Sequence, residues 1–334
     1  MVSGAGETVR QRWRRHVGRR RRAALAALVT GAVALPLSGA ARPEIPAPAP
    51  AVLAAPTAAT LEAAYAANRA NAAEASRMAA AHGDRHRAAA DRELADPSRR
   101  LLAFDGRGAG LVTEVYGDLA HADHVAVLVP GSDTGIDTYG RFRAAALALR
   151  RQLQVEDPAG GRRTAVVAWL GYETPGTVST AVTTTGRADS AAPRLRALVD
   201  ALRGITGPGT RLALLCHSYG SVVCARAAAG LDVGDIALVG SPGTSADSAA
   251  GLRADARLWA ARGADDWIAH VPHVRAGLFG TTVGFGTDPV SPAFGARVFD
   301  AGEGGHSDYF RPGTRSLANL ARIVLGRTAE VTRA

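Results

Sequence analysis

The stretch Leu212-Ala-Leu-Leu-Cys216-His-Ser218-Tyr-Gly220-Ser carries an apolar strand directly into a sharp turn and then into a helix, with Ser218 at the turn. Such a turn projects the serine oxygen above the edge of a sheet and aims the helix N-terminus at a developing oxyanion. The residues two before and two after the serine must be small, because the strand and helix backbones crowd there. Gly220 meets this requirement, and Cys216 is a small apolar substitute for the usual glycine. We therefore predict that Ser218 is a nucleophile; the alternative is a helix-capping serine in an ordinary turn.

Short apolar runs alternate with helical stretches on both sides of this turn. Fully apolar strands alternating with helices predict a single α/β domain, whose mostly parallel sheet is covered by helices on both faces. The first two strands lie close together in sequence and are expected to be antiparallel. The predicted strands are 101–104, 111–116, 125–129, 165–170, 211–215, 236–239, 256–261 and 297–300, and the predicted helices lie near 139–152, 187–202, 219–229 and 314–325.

A serine hydroxyl needs a base beside it to become a nucleophile, and in this type of fold the partners follow in the order serine, acid, histidine. The run Gly-Ala-Asp265-Asp266-Trp-Ile follows a late strand, and we prefer Asp266 over Asp265 as the acid. His306 follows the last strand in a glycine-containing loop and is the predicted base. His217 is next to the nucleophile, but we expect the turn to point it away from Ser218 and to give it a structural role.

Two backbone N–H groups are needed to stabilise an oxyanion. We assign one to Tyr219, which directly follows the nucleophile, and the other to Ser132 in the loop Pro-Gly131-Ser-Asp after an earlier strand. Gly131 allows the backbone to approach a ligand closely, although the loop could also be a plain strand-ending turn. Tyr139 and Tyr172 are candidate residues of a substrate pocket, with packing in the core as the alternative. The segments 171–185 and 270–294 are either parts of a cap over the site or ordinary surface loops.

Three motifs resemble those of the actinobacterial α/β-hydrolase family of unknown function labelled DUF1023. They are Leu128-Val-Pro-Gly131, Cys216-His-Ser-Tyr-Gly220 and Gly305-His-Ser-Asp-Tyr-Phe310, and the resemblance extends from about residue 61 to residue 322. It implies the α/β-hydrolase fold and a triad of serine, aspartate and histidine, which here are Ser218, Asp266 and His306. It brings no known substrate.

The N-terminal part of the chain reads as a leader, a linker and a helical segment. A basic run, an apolar stretch and small residues over 1–40 indicate a signal peptide or signal anchor, so membrane association through residues 23–40 is possible. Residues 41–56 form a Pro/Ala-rich linker, and 57–97 form one or two helices interrupted at Gly83. The α/β-hydrolase domain itself is predicted over 98–327. We expect a protein that is secreted or associated with the cell envelope.

The formal charge of +9 is concentrated at the N-terminus, since residues 1–22 contain eight Arg and one Glu. The remainder has 31 Arg against 29 Asp and Glu, so its charge indicates no nucleic-acid partner. An exported protein could pair its two cysteines, Cys216 and Cys224. Because both lie in apolar surroundings, we expect two buried free thiols instead.

Taken together, these features predict acyl transfer to water by a serine hydrolase acting on a carboxylic or lipid-like ester, with no metal and no cofactor. The first alternative is a non-catalytic protein of the same fold that binds a ligand or partner at the cell envelope, because a fold alone does not establish activity. The second is a membrane-tethered interaction protein that uses the Ala-rich helices. These helices lack sustained heptads, which argues against a coiled coil.

Overall fold

The structure is a computed structural model that describes residues 45–271, 276–278 and 281–334. The predicted leader over 1–40 lies outside these residues. Residues 45–57 have no regular secondary structure, and they lie against the first helix, where the Asn71 side chain donates a hydrogen bond of 2.8 Å to the Ala49 carbonyl. Among the residues described, no helix is long and apolar enough to span a bilayer.

Two helices precede the sheet, as the sequence predicts. They are α1 (Leu61–His82) and α2 (Arg85–Leu94). Gly83 separates them in a left-handed conformation with φ of 93°, and its N–H bonds to carbonyls of the last turn of α1. Asp84 then caps α2 by accepting a hydrogen bond from the Arg87 backbone N–H at 2.9 Å.

A mixed sheet forms the centre of the domain. Its strands lie in the order β1-β2-β4-β3-β5-β6-β7-β10, and a separate hairpin consists of β8 and β9. β1 and β2 are antiparallel to their neighbours, and from β4 to β10 every neighbouring pair is parallel, which confirms the predicted arrangement. The strands are β1 (Leu101–Asp105), β2 (Leu111–Gly117), β3 (His124–Val129), β4 (Thr164–Leu170), β5 (Arg211–His217), β6 (Asp235–Val239), β7 (Arg257–Ala261), β8 (Ala276–Leu278), β9 (Thr281–Val283) and β10 (Arg297–Val298).

Helices cover both faces of this sheet. The remaining helices are α3 (Tyr139–Glu156), α4 (Gly186–Thr206), α5 (Gly220–Ala227) and α6 (Arg315–Val324). Alternate residues of a strand point to opposite faces. Val125 and Val127 of β3 therefore pack in one core with α4 and α5, whereas Ala126 and Leu128 pack in the other core with α3 and α6. Both faces of the sheet are therefore buried, which explains why the strand sequences are continuous apolar runs.

The N-terminal helices are part of the fold because they cover the β1–β2 edge of the sheet. Ala72 and Ala75 of α1 pack against Phe104 of β1, and the Asn68 amide donates to the carbonyls of Leu101 and Leu102 at 3.1 and 3.0 Å. These bonds tie α1 to the edge strand and give two backbone carbonyls of that strand a hydrogen-bond donor.

A buried ionic cluster lies on the same side of the sheet. Arg99 forms an ion pair with Glu114, and both side chains are less than a tenth exposed. The Glu114 carboxylate also accepts hydrogen bonds from the hydroxyls of Tyr116 at 2.5 Å and Tyr139 at 3.0 Å. A buried charge pair of this kind needs additional hydrogen bonds to offset its desolvation, and the two tyrosines supply them. The hydroxyl of Tyr139 therefore has its hydrogen-bond partner within this cluster.

The last strand is shorter than predicted. The sequence favours a strand over 297–300, but β10 consists of Arg297 and Val298 only. Phe299 continues the contact with a backbone hydrogen bond of 3.0 Å to the Ala260 carbonyl and forms an isolated bridge with Arg333. The chain then turns away from the sheet toward His306, so the early end of this strand frees the loop that carries the histidine.

Candidate functional site

Ser218 lies at the tight turn between β5 and α5. Its φ of 54° is in the left-handed region, which a non-glycine residue adopts only under constraint from its surroundings. The crowding predicted around this turn is present: a Cβ on Gly220 would lie 2.6 Å from the carbonyl oxygens of both Val129 and Pro130. Only glycine fits there without moving the end of β3.

Ser218, His306 and Asp266 form a continuous chain of hydrogen bonds. The His306 Nε2 is 2.8 Å from the Ser218 Oγ, and its Nδ1 is 2.9 and 3.1 Å from the two carboxylate oxygens of Asp266. The structure thereby brings together the three residues predicted as nucleophile, base and acid. Asp265 is exposed to solvent, and the carboxylate that contacts His306 belongs to Asp266.

The Asp266 carboxylate is buried and heavily hydrogen-bonded. It accepts the Ile268 backbone N–H at 2.9 Å and the Tyr309 hydroxyl, in addition to the bonds with His306. Burial alone raises the pKa of a carboxyl, but the hydrogen bonds from His306, Tyr309 and Ile268 outweigh it and hold the pKa of Asp266 below its usual value. An ionised Asp266 favours the His306 tautomer that has its proton on Nδ1, which leaves Nε2 free to accept a proton.

Tyr309 is a site residue that the sequence reasoning missed. Its hydroxyl donates to Asp266 and accepts the Gly263 backbone N–H at 3.0 Å. Burial and the neighbouring carboxylate raise the pKa of Tyr309 well above its ordinary range, so the hydroxyl stays protonated as a donor. Its position three residues after His306 in the motif Gly305-His-Ser-Asp-Tyr was the available signal.

Gly240 is a second missed residue. It follows β6 with φ of 58°, and a Cβ at this position would lie 3.0 Å from the Asp266 carboxylate and 2.9 Å from the Tyr309 ring. The absence of a side chain therefore makes room for the acid and its supporting tyrosine. The only sequence signal was that this glycine directly follows an apolar strand, the first strand after Ser218 in the chain.

The two predicted oxyanion donors lie on either side of Ser218. Gly131 approaches the serine so closely that a Cβ on it would lie 2.6 Å from the Ser218 Cβ. Ser132 and Tyr219 both line the cavity at this point. Within the part of the chain that the structure describes, no hydrogen bond uses the backbone N–H of Ser132 or of Tyr219. These two N–H groups therefore remain the candidate donors to an oxyanion beside Ser218.

Tyr139 and Tyr172 do not line the cavity, which corrects the expectation that they contact substrate. Both rings are almost completely buried, since Tyr139 is bound to Glu114 and the Tyr172 hydroxyl donates to the Pro130 carbonyl at 2.6 Å. The Tyr172 ring also stacks on Tyr219, with 6.5 Å between the centroids. Tyr172 supports the loop that contains Gly131 and Ser132 from behind.

Cys216 and Cys224 form a disulfide, so the prediction of two free thiols is wrong. The bond joins the penultimate residue of β5 to the second turn of α5, and Ser218 lies within the short loop that it closes. Both cysteines are fully buried. The sequence suggested burial correctly, but the sharp turn folds the helix back over the strand and brings the two side chains together. Cys216 replaces the usual glycine because its side chain crosslinks the turn.

His217 lies against His306 rather than in contact with the Ser218 hydroxyl. Its Nε2–H donates to the His306 backbone carbonyl at 2.6 Å, and the two rings are 4.8 Å apart. Burial and the neighbouring His306 lower the pKa of His217 to about 4, so it is neutral at ordinary pH. His217 therefore has the structural role that the sequence predicts, because it binds the backbone of the loop that contains His306.

A cavity of about 1050 Å³ opens above Ser218 and His306. Thr177, Val182 and Thr183 line one side, which places part of the segment 171–185 at the cavity. Phe285 lines it from the segment 270–294, and the Gly284 backbone N–H donates to the Thr183 carbonyl at 2.9 Å. The two segments considered as cap elements therefore meet beside the site. Residues of α3 between Arg141 and Arg151 also line the cavity.

Comparisons with known proteins identify the family of the chain. A family model described as an alpha/beta hydrolase matches residues 105–276. An uncharacterized protein of Mycobacterium tuberculosis is 30% identical over 269 residues, and the match covers 67% of this chain and 38% of that protein. The chain therefore spans well under half the length of this relative.

Two solved structures are also similar to the chain. An α/β serine hydrolase without lid from Xanthomonas campestris has a TM-score of 0.41 at 20% identity, covering 69% of this chain and 95% of that chain. A crystal structure of an esterase has a TM-score of 0.44 at 16% identity, covering 65% of this chain and 98% of that chain.

Replacing both Cys216 and Cys224 by Ala is expected to lower the free energy of unfolding by about 2–3 kcal/mol, because a short crosslinked loop constrains the unfolded chain. Urea unfolding monitored by circular dichroism measures this change. Thiol titration of the denatured, unreduced wild type should detect no free thiol, and titration after reduction should detect both. Two reactive thiols before reduction would show that the disulfide is absent.

Stability between pH 7 and pH 5 should depend on His217. The folded protein keeps His217 neutral down to about pH 4, whereas the unfolded chain protonates it near the ordinary histidine pKa of about 6.5. The unfolded state therefore binds more protons in this interval, and the free energy of unfolding falls as the pH falls, by about 2 kcal/mol from this group. In His217→Gln, urea unfolding at the two pH values should show a loss smaller by that amount. An equal loss in both proteins would contradict the assignment.

Proposed function

Because the chain belongs to the alpha/beta hydrolase family, we propose that it is a serine hydrolase that cleaves carboxylic esters through an acyl-enzyme on Ser218. The observation that carries this proposal is the distance of 2.8 Å between the His306 Nε2 and the Ser218 Oγ, with Asp266 on the opposite nitrogen of the same ring. A serine held this way beside an oriented base is the arrangement that activates a hydroxyl for nucleophilic attack.

In the first half of the reaction, His306 takes the proton from the Ser218 Oγ as the oxygen bonds to the ester carbonyl carbon. The carbonyl electron pair moves onto its oxygen. When the tetrahedral intermediate collapses, the bond to the alcohol oxygen breaks, and that oxygen takes the proton from the His306 Nε2. In the second half, His306 deprotonates a water that attacks the acyl-enzyme, and the proton returns to Ser218 as the acid leaves.

The chain's own groups stabilise the charges that develop during these steps. Asp266 is ionised and contacts the Nδ1–H of His306, so it favours the imidazolium form. The backbone N–H groups of Tyr219 and Ser132 are the proposed donors to the oxyanion, and removal of one such donor typically costs about 10²–10³-fold in kcat. The N-terminus of α5 adds a positive potential on the same side.

The composition of the cavity supports an ester with an apolar part. Its volume of about 1050 Å³ is at the upper end of ordinary ligand pockets. Phe142, Val182, Phe285 and Phe310 are among the residues that line it. Such a lining favours a lipid-like ester over a highly polar substrate, because buried polar groups without hydrogen-bond partners are costly.

We further propose that the protein works outside the cytoplasm. The predicted leader over residues 1–40 is one argument, and the Cys216–Cys224 disulfide is an independent one. Disulfides persist in exported proteins and are rare where thiol reductants are abundant. A bond buried inside the turn that presents the nucleophile fits an oxidising environment.

The proposal predicts that a fluorophosphonate probe labels the wild-type protein at Ser218, because such probes react with activated serines. Ser218→Ala should not be labelled. Asp266→Asn should be labelled about 10³–10⁴-fold more slowly, since the amide stabilises the wrong tautomer of His306. The labelling rate is measured by intact-protein mass spectrometry over time.

Asp265→Asn is the matched control for this experiment, because it makes the same change at the neighbouring, exposed carboxylate. It should be labelled at the wild-type rate. Equal slowing in Asp265→Asn and Asp266→Asn would contradict the role of Asp266. A folded wild type that resists the probe would favour a non-catalytic ligand-binding protein of the same fold.

A further inference from the structure

We propose that the part of the cavity along α3 binds an unbranched aliphatic chain of the substrate, which makes the protein selective for long-chain esters. We call this part the α3 channel and define it by Leu128, Leu215, Ala144, Ala145, Ala148 and Phe310, all of which line the cavity. The inference deepens the proposed hydrolase function and rests on it.

The floor of the α3 channel consists of strand residues beside the nucleophile. Leu128 is on β3 and Leu215 is on β5, and the two residues are paired in register between these neighbouring strands. Both side chains point to the face of the sheet that α3 and α6 cover. Ser218 follows Leu215 by three residues, so the channel continues directly from the proposed reaction centre.

One wall of the channel is a single face of α3. The α3 residues Arg141, Ala144, Ala145, Ala148 and Arg151 line the cavity and recur at the spacing of three and four residues that places side chains on one side of a helix. From Arg141 to Arg151 this face is about 15 Å long, at 1.5 Å per residue. The cavity therefore follows the helix for several turns instead of forming a small pocket at the serine.

The opposite wall comes from the loop after His306. This loop leads into α6, and the residues of it that line the cavity are Ser307, Tyr309, Phe310, Arg311 and Pro312. This loop adds aromatic rings to a cavity whose α3 side consists of Phe142 and three alanines between the two arginines. A side chain larger than alanine on the α3 face would narrow it.

The residues that line the α3 channel indicate which kind of ligand it binds. Between the helix positions of Arg141 and Arg151, the α3 residues that line it are Phe142, Ala144, Ala145 and Ala148. None of these side chains offers a hydrogen bond, so a sugar or peptide chain would lose its hydrogen bonds to water without replacement. A hydrocarbon chain makes no hydrogen bonds to water, so it loses none on binding, and the burial of its apolar surface is favourable. Both arginines are exposed, and their aliphatic stems extend the apolar wall toward solvent.

Two series of esters test the proposal and show which part of the ester occupies the channel. The first keeps a p-nitrophenol leaving group and lengthens the acyl chain from acetate to laurate, and the second keeps an acetyl group and lengthens the alcohol from methyl to dodecyl. In one of the two series, kcat/KM should rise by up to about fourfold for each methylene buried. A flat profile in both series would overturn the proposal.

Variants of the α3 face locate the effect. Ala144→Phe changes an exposed position and should lower kcat/KM for the longest ester by at least about tenfold, which corresponds to two buried methylenes. The ratio of kcat/KM for the longest ester to kcat/KM for p-nitrophenyl acetate should therefore fall. Ala145→Phe is a second, more deeply placed variant with the same expectation. Val155→Phe, at an exposed α3 position outside the cavity lining, is the matched control and should leave both activities unchanged.

A binding measurement separates this proposal from the proposed catalysis. Titration calorimetry with 1-decanol should detect binding to the Ser218→Ala protein, and binding at least about tenfold weaker when Ala144→Phe is added. Binding of decanol without hydrolysis of any ester would overturn the catalytic proposal and leave the channel supported. Hydrolysis of p-nitrophenyl acetate without a chain-length effect and without decanol binding would overturn the channel and leave the catalytic proposal supported.

Discussion

The close approach between the end of β3 and the turn that leads from β5 into α5 is the constraint on which the site depends. The turn after β5 holds Ser218 at φ of 54°, and the space for the following helix exists only because Gly220 has no side chain against the carbonyls that end β3. Gly131 makes the reciprocal approach from β3 toward Ser218. The lack of side chains at Gly131 and Gly220 lets the two backbone segments that carry the proposed oxyanion donors, Ser132 and Tyr219, approach Ser218. The disulfide inside this turn adds a covalent restraint to a conformation that sterics alone would oppose.

Contacts with backbone and side-chain groups fix the position of His306 and of the loop that contains it. Asp266 binds the ring, and Tyr309 binds Asp266 and the turn that precedes it. His217 donates a hydrogen bond to the His306 carbonyl, and its neutrality keeps a second positive charge away from the imidazolium that the proposed reaction would form. His306 is thus positioned by Asp266 and His217, which lie on other elements of the fold, and by Tyr309 of its own loop. These contacts explain how a loop residue is held 2.8 Å from the serine at the end of β5.

The sequence predicted the sheet, its two covering layers and the three hydrogen-bonded site residues because each depends on a local pattern. Apolar strands, small residues around a serine, and the order of the partners are all visible along the chain. The disulfide, Gly240 and the positions of Tyr139 and Tyr172 depend on which distant residues meet. The sequence pattern around a tyrosine near a strand end is the same whether its side chain faces a cavity or a buried carboxylate such as Glu114. Only the packed structure distinguishes these two environments. Similarly, two apolar cysteines eight residues apart look like core residues until the turn folds one over the other.

The central claim is that Ser218 is an activated nucleophile whose oxyanion is held by backbone donors. The most direct test is a crystal structure of the protein after reaction with an alkyl fluorophosphonate, whose adduct resembles the tetrahedral intermediate. We expect a covalent bond from the Ser218 Oγ to phosphorus, with the phosphonyl oxygen about 2.7–3.1 Å from the backbone nitrogens of Tyr219 and Ser132. An adduct on another residue, or a phosphonyl oxygen directed to solvent away from both nitrogens, would contradict the account.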